Sequence, residues 1–250
     1  MNLSILERMV REGDLSLDAL LYLLQCKSES EWLDYKQRLA LDQDKNLCDF
    51  TRDVLALKNV GGGYIVVGVR DKTWEPLGLS ERLPYDGKML RDKVRRGSGL
   101  DLDVDIVQHK LAQPIGGGLF ALIFIRASKK RSKRRAPTLV AKDFCAKEAF
   151  GLRRGDIYVR KGDSTVRVRT QEELEELLDN LEAQADQDAL EVSSRPSPFA
   201  IEDGTYRLLE KGFENFIGRE RLRPRWTLQI RPNVDGAKPA IGAGAQAGVL

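Results

Sequence analysis

The stretch KNVGGGYIVVGVRDK, residues 58–72, sets three glycines between two different kinds of apolar pattern. Before it, Leu47, Phe50, Val54 and Leu57 recur at helical spacing. After the glycines, Tyr64 to Val69 is a β-rich apolar run of the kind that makes a buried strand. The order is therefore helix, glycines, strand. A dinucleotide fingerprint runs the other way, strand then glycines then helix. A P-loop needs a Gly-Lys pair followed by Ser or Thr, with another glycine five places earlier, so that backbone amides ring the phosphates. The only Gly-Lys pair here, Gly87-Lys88, is followed by Met89 and lacks the earlier glycine. The triple glycine reads as a tight turn, with Asn59 and the glycines capping the helix, and no nucleotide cofactor is expected.

Outward from this stretch, residues 1–27 carry two short helical patterns. Leu3, Leu6, Met9 and Val10 form the first; Leu17, Leu20, Leu21 and Leu24 form the second, after Gly13 and a Ser16 N-cap. Their expected purpose is packing. Trp32 to Lys36 alternates as a strand would, which puts Asp34 and Lys36 on one face. Further strands are expected over 104–111 and 119–125, with a hairpin of 157–160 and 165–168 around KGDS. Thr170 and Glu173 have capping-box spacing and open an acidic helix to about Ala185. SSRPSPF then breaks the pattern, and a C-terminal extension with one more helix and strand ends in a Gly/Ala-rich tail, frayed after about residue 238.

The chain has 250 residues, 42% hydrophobic and 32% charged, which describes a folded globular protein with room for a core. Its net charge of +3 hides a segregation. Arg126 to Arg169 holds 15 Lys/Arg against 4 Asp/Glu, while Gln171 to Glu191 holds nine acids and no Lys or Arg. Such a basic segment calls for an anionic partner, with nucleic acid first. Three scattered cysteines exclude a zinc knuckle and a disulfide framework, no signal layout opens the chain, and no run reaches the ~18 apolar residues of a membrane span. A cytoplasmic protein is expected.

Two groups of residues can carry chemistry. Glu29, Glu31, Asp34 and Asp71 flank the helix that ends at Asn59, and Asp34 and Asp71 converge if the strands at 32–36 and 64–69 are neighbours. Carboxylates beside Lys36 would suit Mg2+- or Mn2+-assisted phosphodiester cleavage, the acids holding the cation and the lysine offsetting phosphate charge. An exposed charged face would give the same spacing. The second group is Lys129, Lys130, Arg131, Lys133, Arg134 and Arg135, continued by Arg153, Arg154, Arg160, Lys161, Arg167 and Arg169. Phosphate neutralisation by such a run supplies affinity without sequence choice; the competing reading is a solvated loop. His109, the only histidine, sits in an alternating run and is expected to be structural. Trp32, Trp74 and Trp226 could stack on bases or pack in the core.

Taken in order, ESEWLDYK (29–36), LALKNVGGGYIVVGVRDK (55–72), PLGL (76–79), LIFIRASKKRSKRRAP (122–137) and DIYVRKGDSTVRV (156–168) resemble the AlbA-like domain of the Schlafen family over about residues 28–182. The resemblance implies an α+β fold: residues 1–27 as an N-terminal helical hairpin, 28–190 as the AlbA-like domain, and 191–250 as linker and extension. It also implies nucleic-acid binding, with RNA favoured over DNA. The family's nucleases use three carboxylates and a divalent metal to cut RNA, chiefly tRNA-like substrates. By motif these fall on Glu29, Asp34 and Asp71, as catalytic and metal-binding residues, with Lys36 beside them. The basic run from Lys129 to Arg135, with Arg160 and Lys161, would grip the backbone. This sequence departs from the motif at Asp34, where the family has Glu, and at Arg70, where it has the first acid of a pair. The resemblance thus implies a metal-dependent endoribonuclease or, alternatively, a non-catalytic DNA- or RNA-binding regulator. Because only one lobe is present, a homodimer enclosing the nucleic acid is expected.

Overall fold

The computed structural model describes residues 3–112, 118–127, 136–194, 199–202 and 205–208. Residues 1–189 and 190–250 form two compact units. The first is α+β, as expected. It contains helices α1 (Leu3–Glu12) and α2 (Leu17–Cys26), strand β1 (Leu33–Lys36), helix α3 (Asp44–Asn59), strand β2 (Gly62–Val67) and helix α4 (Gly87–Ser98). Strands β3 (Val104–Leu111), β4 (Gly118–Arg126), β5 (Tyr158–Lys161) and β6 (Ser164–Arg167) follow, and then helix α5 (Gln171–Ser194). In the second unit, β7 (Phe199–Glu202) and β8 (Thr205–Leu208) form an antiparallel hairpin. Among the described residues, no helix is long and apolar enough to cross a membrane.

Four strands form one mixed sheet in the order β1-β2-β4-β3. β1 runs parallel to β2, with Asp34 opposite Ile65 and Lys36 opposite Val67. β4 runs antiparallel to both β2 and β3. Strand residues alternate between the sheet's faces, and the two apolar clusters divide accordingly. Leu33, Tyr35, Tyr64, Val66, Phe120, Leu122 and Phe124 face α1 and α2. Ile65, Val67, Ala121, Ile123, Ile125 and Val104 face α3 and α4. The helical hairpin of α1 and α2 is thus one covering layer of a sheet apolar on both sides. Its seams are polar: the Tyr64 hydroxyl donates to Met9 O at 2.7 Å, the Tyr35 hydroxyl donates to Leu23 O at 2.5 Å, and His109 Nε2 meets Leu15 O at 2.8 Å.

The triple glycine is a backbone device. Val60, not Asn59, is the C-cap of α3, and its N–H reaches back to Ala56 O. Gly61 and Gly62 take φ of +103° and +98°, which side-chain-bearing residues rarely adopt. Gly63 answers a different need, because a Cβ there would meet Trp32 O at 2.6 Å and Leu57 Cδ2 at 2.8 Å. Asn59 is fully buried and acts through its side chain instead. Its Nδ2 donates to Thr138 O at 2.9 Å and to Tyr158 O at 2.8 Å, and its Oδ1 accepts from Thr138 N at 2.7 Å. It therefore ties the end of α3 to the segment at 138 and to β5.

The remaining boundaries follow local chemistry. Ser16 caps α2, accepting from Ala19 N, and the Thr170–Glu173 pair closes a reciprocal capping box at the start of α5. The β5–β6 hairpin turns on Gly162-Asp163 with positive φ at Gly162 alone, as a type II′ turn requires. α4 has no counterpart in the sequence reading. Its apolar content is only Met89, Leu90 and Val94 among charges, and its start is fixed by Asp86, whose carboxylate accepts from Met89 N at 2.7 Å.

Candidate nucleic-acid interface and its carboxylate clasp

β1 is a sheet edge, and its α3-facing side chains are Asp34 and Lys36 where an interior strand would carry apolar ones. Covered by α3 and the β5–β6 hairpin, these charges need partners, since an unpaired buried charge is prohibitive. The partners form a closed ring. Arg160 Nη1 donates to Asp34 Oδ1 at 3.0 Å, and Asp34 Oδ2 pairs with Lys36 Nζ at 2.9 Å. Lys36 Nζ pairs with Asp53 Oδ2 at 2.6 Å, and Asp53 Oδ1 accepts from the Thr165 hydroxyl at 2.7 Å. Thr165 Oγ1 completes the ring, accepting from Arg160 Nη1 at 3.4 Å. Glu29 joins from outside, its Oε2 lying 3.3 Å from Arg160 Nη2.

Burial dominates the electrostatics. The side chains of Arg160 and Asp34 are 2% and 6% exposed. Burial pushes the Asp34 carboxyl up against the pull of Lys36; Asp53 adds to the rise and Arg160 opposes it. Glu29 is also raised, first by burial and then by the Asp34 charge, with Arg160 opposing. Burial alone would lower Lys36, but Asp34 and Asp53 outweigh it and hold the ammonium above its ordinary range. Within the clasp, two buried atoms end without a hydrogen bond, Asp34 Oδ2 and Arg160 Nε. The first has its ion pair with Lys36; the second is left over because the guanidinium uses Nη1 and Nη2 on the carboxylates.

Of the residues selected from sequence, Glu29, Asp34, Lys36 and Arg160 come together. Asp71 does not join them. The parallel register puts Asp34 opposite Ile65, and the chain then runs on past β2 into an exposed turn closed by the Val69–Pro76 bridge and the Arg70–Glu75 ion pair. No ion pair or hydrogen bond connects the Asp71 carboxylate to the clasp. Among the described residues there is no group of three or more His, Cys, Asp or Glu side chains arranged to hold a metal ion. The Arg160 guanidinium already stands between Glu29 and Asp34, so the residues present do not fit the Mg2+ or Mn2+ that the resemblance implies.

The carboxylate that sequence reasoning missed is Asp53. It lies on the α3 face that also carries Phe50, Val54 and Leu57, all buried. An acid at i+3 from one core residue and i−4 from another was the available signal. Thr165 was missed as well, having no charge to mark it.

The clasp positions the basic residues around the hairpin. Arg160 is buried inside it, so of the predicted phosphate-gripping pair on β5 only Lys161 is exposed. Lys161 Nζ meets Glu176 at 2.8 Å and Arg167 meets Asp156 at 2.9 Å; Arg153, Arg154 and Arg169 are also exposed. Val159 packs with Leu177 and Leu181 of α5, fixing the hairpin from its other side. At the end of β4, Lys58 Nζ donates to Arg126 O at 3.1 Å and Ala127 O at 3.4 Å, anchoring the chain just before the basic run. Lys129, Lys130, Arg131, Lys133, Arg134 and Arg135 themselves lie outside the described residues. Of the tryptophans, Trp32 donates from Nε1 to Val60 O at 3.2 Å and Trp74 packs on the α1–α2 side of the core; Trp226 lies outside the described residues.

Residues 29–169, more than half of the chain, match the family model described as Schlafen, AlbA_2. The chain belongs to the Schlafen AlbA_2 family. The matched span opens at Glu29 and closes at Arg169, so it takes in the whole clasp, the sheet and the β5–β6 hairpin, and leaves out α1, α2 and α5. A domain of this family points to nucleic acid as the partner. A search of curated proteins gave no match.

Proposed function

We propose that this Schlafen AlbA_2 protein binds nucleic acid, RNA in preference to DNA, through the cations displayed around the β5–β6 hairpin. The observation that carries the reading is the clasp itself. Its two cations are consumed internally, yet it fixes a hairpin from which Lys161 and Arg167 project, with Arg153, Arg154 and Arg169 nearby in sequence. Contacts of this kind address phosphate and set register on the backbone rather than reading bases.

Fluorescence anisotropy with a labelled tRNA and a duplex DNA of similar length, across a salt series, tests this. Each phosphate contact contributes about −0.7 to −0.9 to the slope of log K against log salt. The double substitution Arg153→Glu with Arg154→Glu is expected to weaken binding at least ~10-fold and flatten the slope. Salt-independent binding, or none to either probe, would end the proposal. The same assay run with Mn2+ and an electrophoretic readout addresses the finer reading, a metal-dependent endoribonuclease. Glu29, Asp34 and Lys36 meet in one cluster, but with Arg160 set between the two acids, so the geometry supports binding over cleavage. Cleavage that needs Mn2+ and disappears in Asp34→Ala would establish the nuclease; intact RNA at every metal concentration leaves the binding function alone.

A further inference from the structure

Glu29 and Asp34 are the two motif carboxylates that come together, and what lies between them is a side chain. Arg160 reaches Asp34 Oδ1 with Nη1 at 3.0 Å and Glu29 Oε2 with Nη2 at 3.3 Å, while Nη2 also lies 3.4 Å from Leu33 O. We infer that Arg160 is the resident cation of this carboxylate cluster, occupying the seat between Glu29 and Asp34 that a divalent metal would otherwise take. The protein's binding state is then complete without metal.

Charge and geometry both argue for this. Three carboxylates, Glu29, Asp34 and Asp53, face two cations, Lys36 and Arg160, giving a formal charge of minus one. A divalent ion added to the intact cluster would reverse that sign beside two cations already in place, in surroundings where like charges repel far more than in water. With Arg160 removed, the same ion would bring the cluster to neutrality. Geometry agrees, because the guanidinium's two ends go to different carboxylates and its Nε is left with no acceptor. The fork's shortest contacts go to these two acids, with Thr165 Oγ1 and Leu33 O each at 3.4 Å. β5 supplies the arginine, so the cation comes with the hairpin. Neutralising the acids and docking the hairpin are a single event.

The test uses the whole chain and Mn2+ alone as the probe, following free Mn2+ by its paramagnetic resonance signal and folding by thermal melting. Wild type is expected to show no Mn2+ site that both Glu29→Gln and Asp34→Asn abolish, and no shift in melting temperature on adding Mn2+. Arg160→Ala is expected to melt lower than wild type and to recover part of the loss in Mn2+, with EDTA reversing the gain. One equivalent of Mn2+ bound by wild type and lost in both carboxylate variants would overturn the inference. So would a folded Arg160→Ala protein that Mn2+ leaves unchanged. If Arg160→Ala does not fold, the wild-type titration against Glu29→Gln and Asp34→Asn decides the matter alone. Because no RNA is present, failure here is distinct from failure of the nucleic-acid reading.

Discussion

At the scale of residues, the carboxylates of the clasp are unequal. Asp34 is held on both oxygens by cations and is almost wholly buried; Asp34→Asn removes one partner from each cation, leaving Lys36 on Asp53 and Arg160 on Glu29. Losing charge-assisted contacts of this kind costs about 1.5–3 kcal/mol, and equilibrium denaturation should show a loss of that order. Glu29 sits at the rim, and its pKa is raised by burial and by Asp34. A carboxyl raised on folding contributes stability that is present below its ordinary value of 4.5 and is lost as the pH rises through the folded value. Glu29→Gln should therefore stay within about 1 kcal/mol of wild type near neutral pH, and the comparison should move in its favour as the pH rises from 4.5. A large loss at neutral pH, or movement the other way, would contradict this account of Glu29. The Glu29, Asp34 and Lys36 positions were legible in sequence because they share a short motif. Asp53 and Thr165 were not, because they enter from α3 and β6 and only the fold brings them to the same point.

At the scale of elements, the stretch at 58–72 shows how far local patterning goes. The helix-to-strand switch and the turn between them were readable from period and glycine content. What each glycine does was not. Gly61 and Gly62 answer a backbone torsion, while Gly63 answers the approach of Trp32 at the neighbouring strand. Gly63→Ala should destabilise the fold by about 1–3 kcal/mol, the usual penalty for overpacking, and should do so whether or not nucleotide or nucleic acid is present. Thermal melting of the variant checks this; a wild-type melting point would restore a functional role for the glycine. α4 escaped the sequence reading for a related reason. It buries a narrow stripe, Leu90, Val94, Gly97 and Ser98, of which only the first two are apolar side chains of any size, so little marks it in sequence, and it is held largely by α3 and by the Asp86 cap.

At the scale of the whole molecule, α1 and α2 lie outside the matched family span but cover one face of its sheet. Removing residues 1–27 uncovers Tyr35, Tyr64, Phe120, Leu122 and Phe124, each worth about 1.5–3 kcal/mol of burial when a side chain of that size is fully sequestered. The shortened chain should aggregate or lose its cooperative melt, measured by light scattering and circular dichroism; a soluble, cooperatively folding 28–250 fragment would show that the sheet does not need this layer. The sequence by itself determined the order of strands and helices in the first unit apart from α4, the closing capping box, the concentration of positive charge and the family, because each rests on neighbours within a few residues or on ordered motifs. Only the tertiary structure decided which charges meet. The parallel register of β1 on β2 takes Asp71 away, and the return of the hairpin brings Arg160 in from 126 residues along the chain. Burial decides which charges must be paired, and burial is a property of the packed layers, not of any segment read alone.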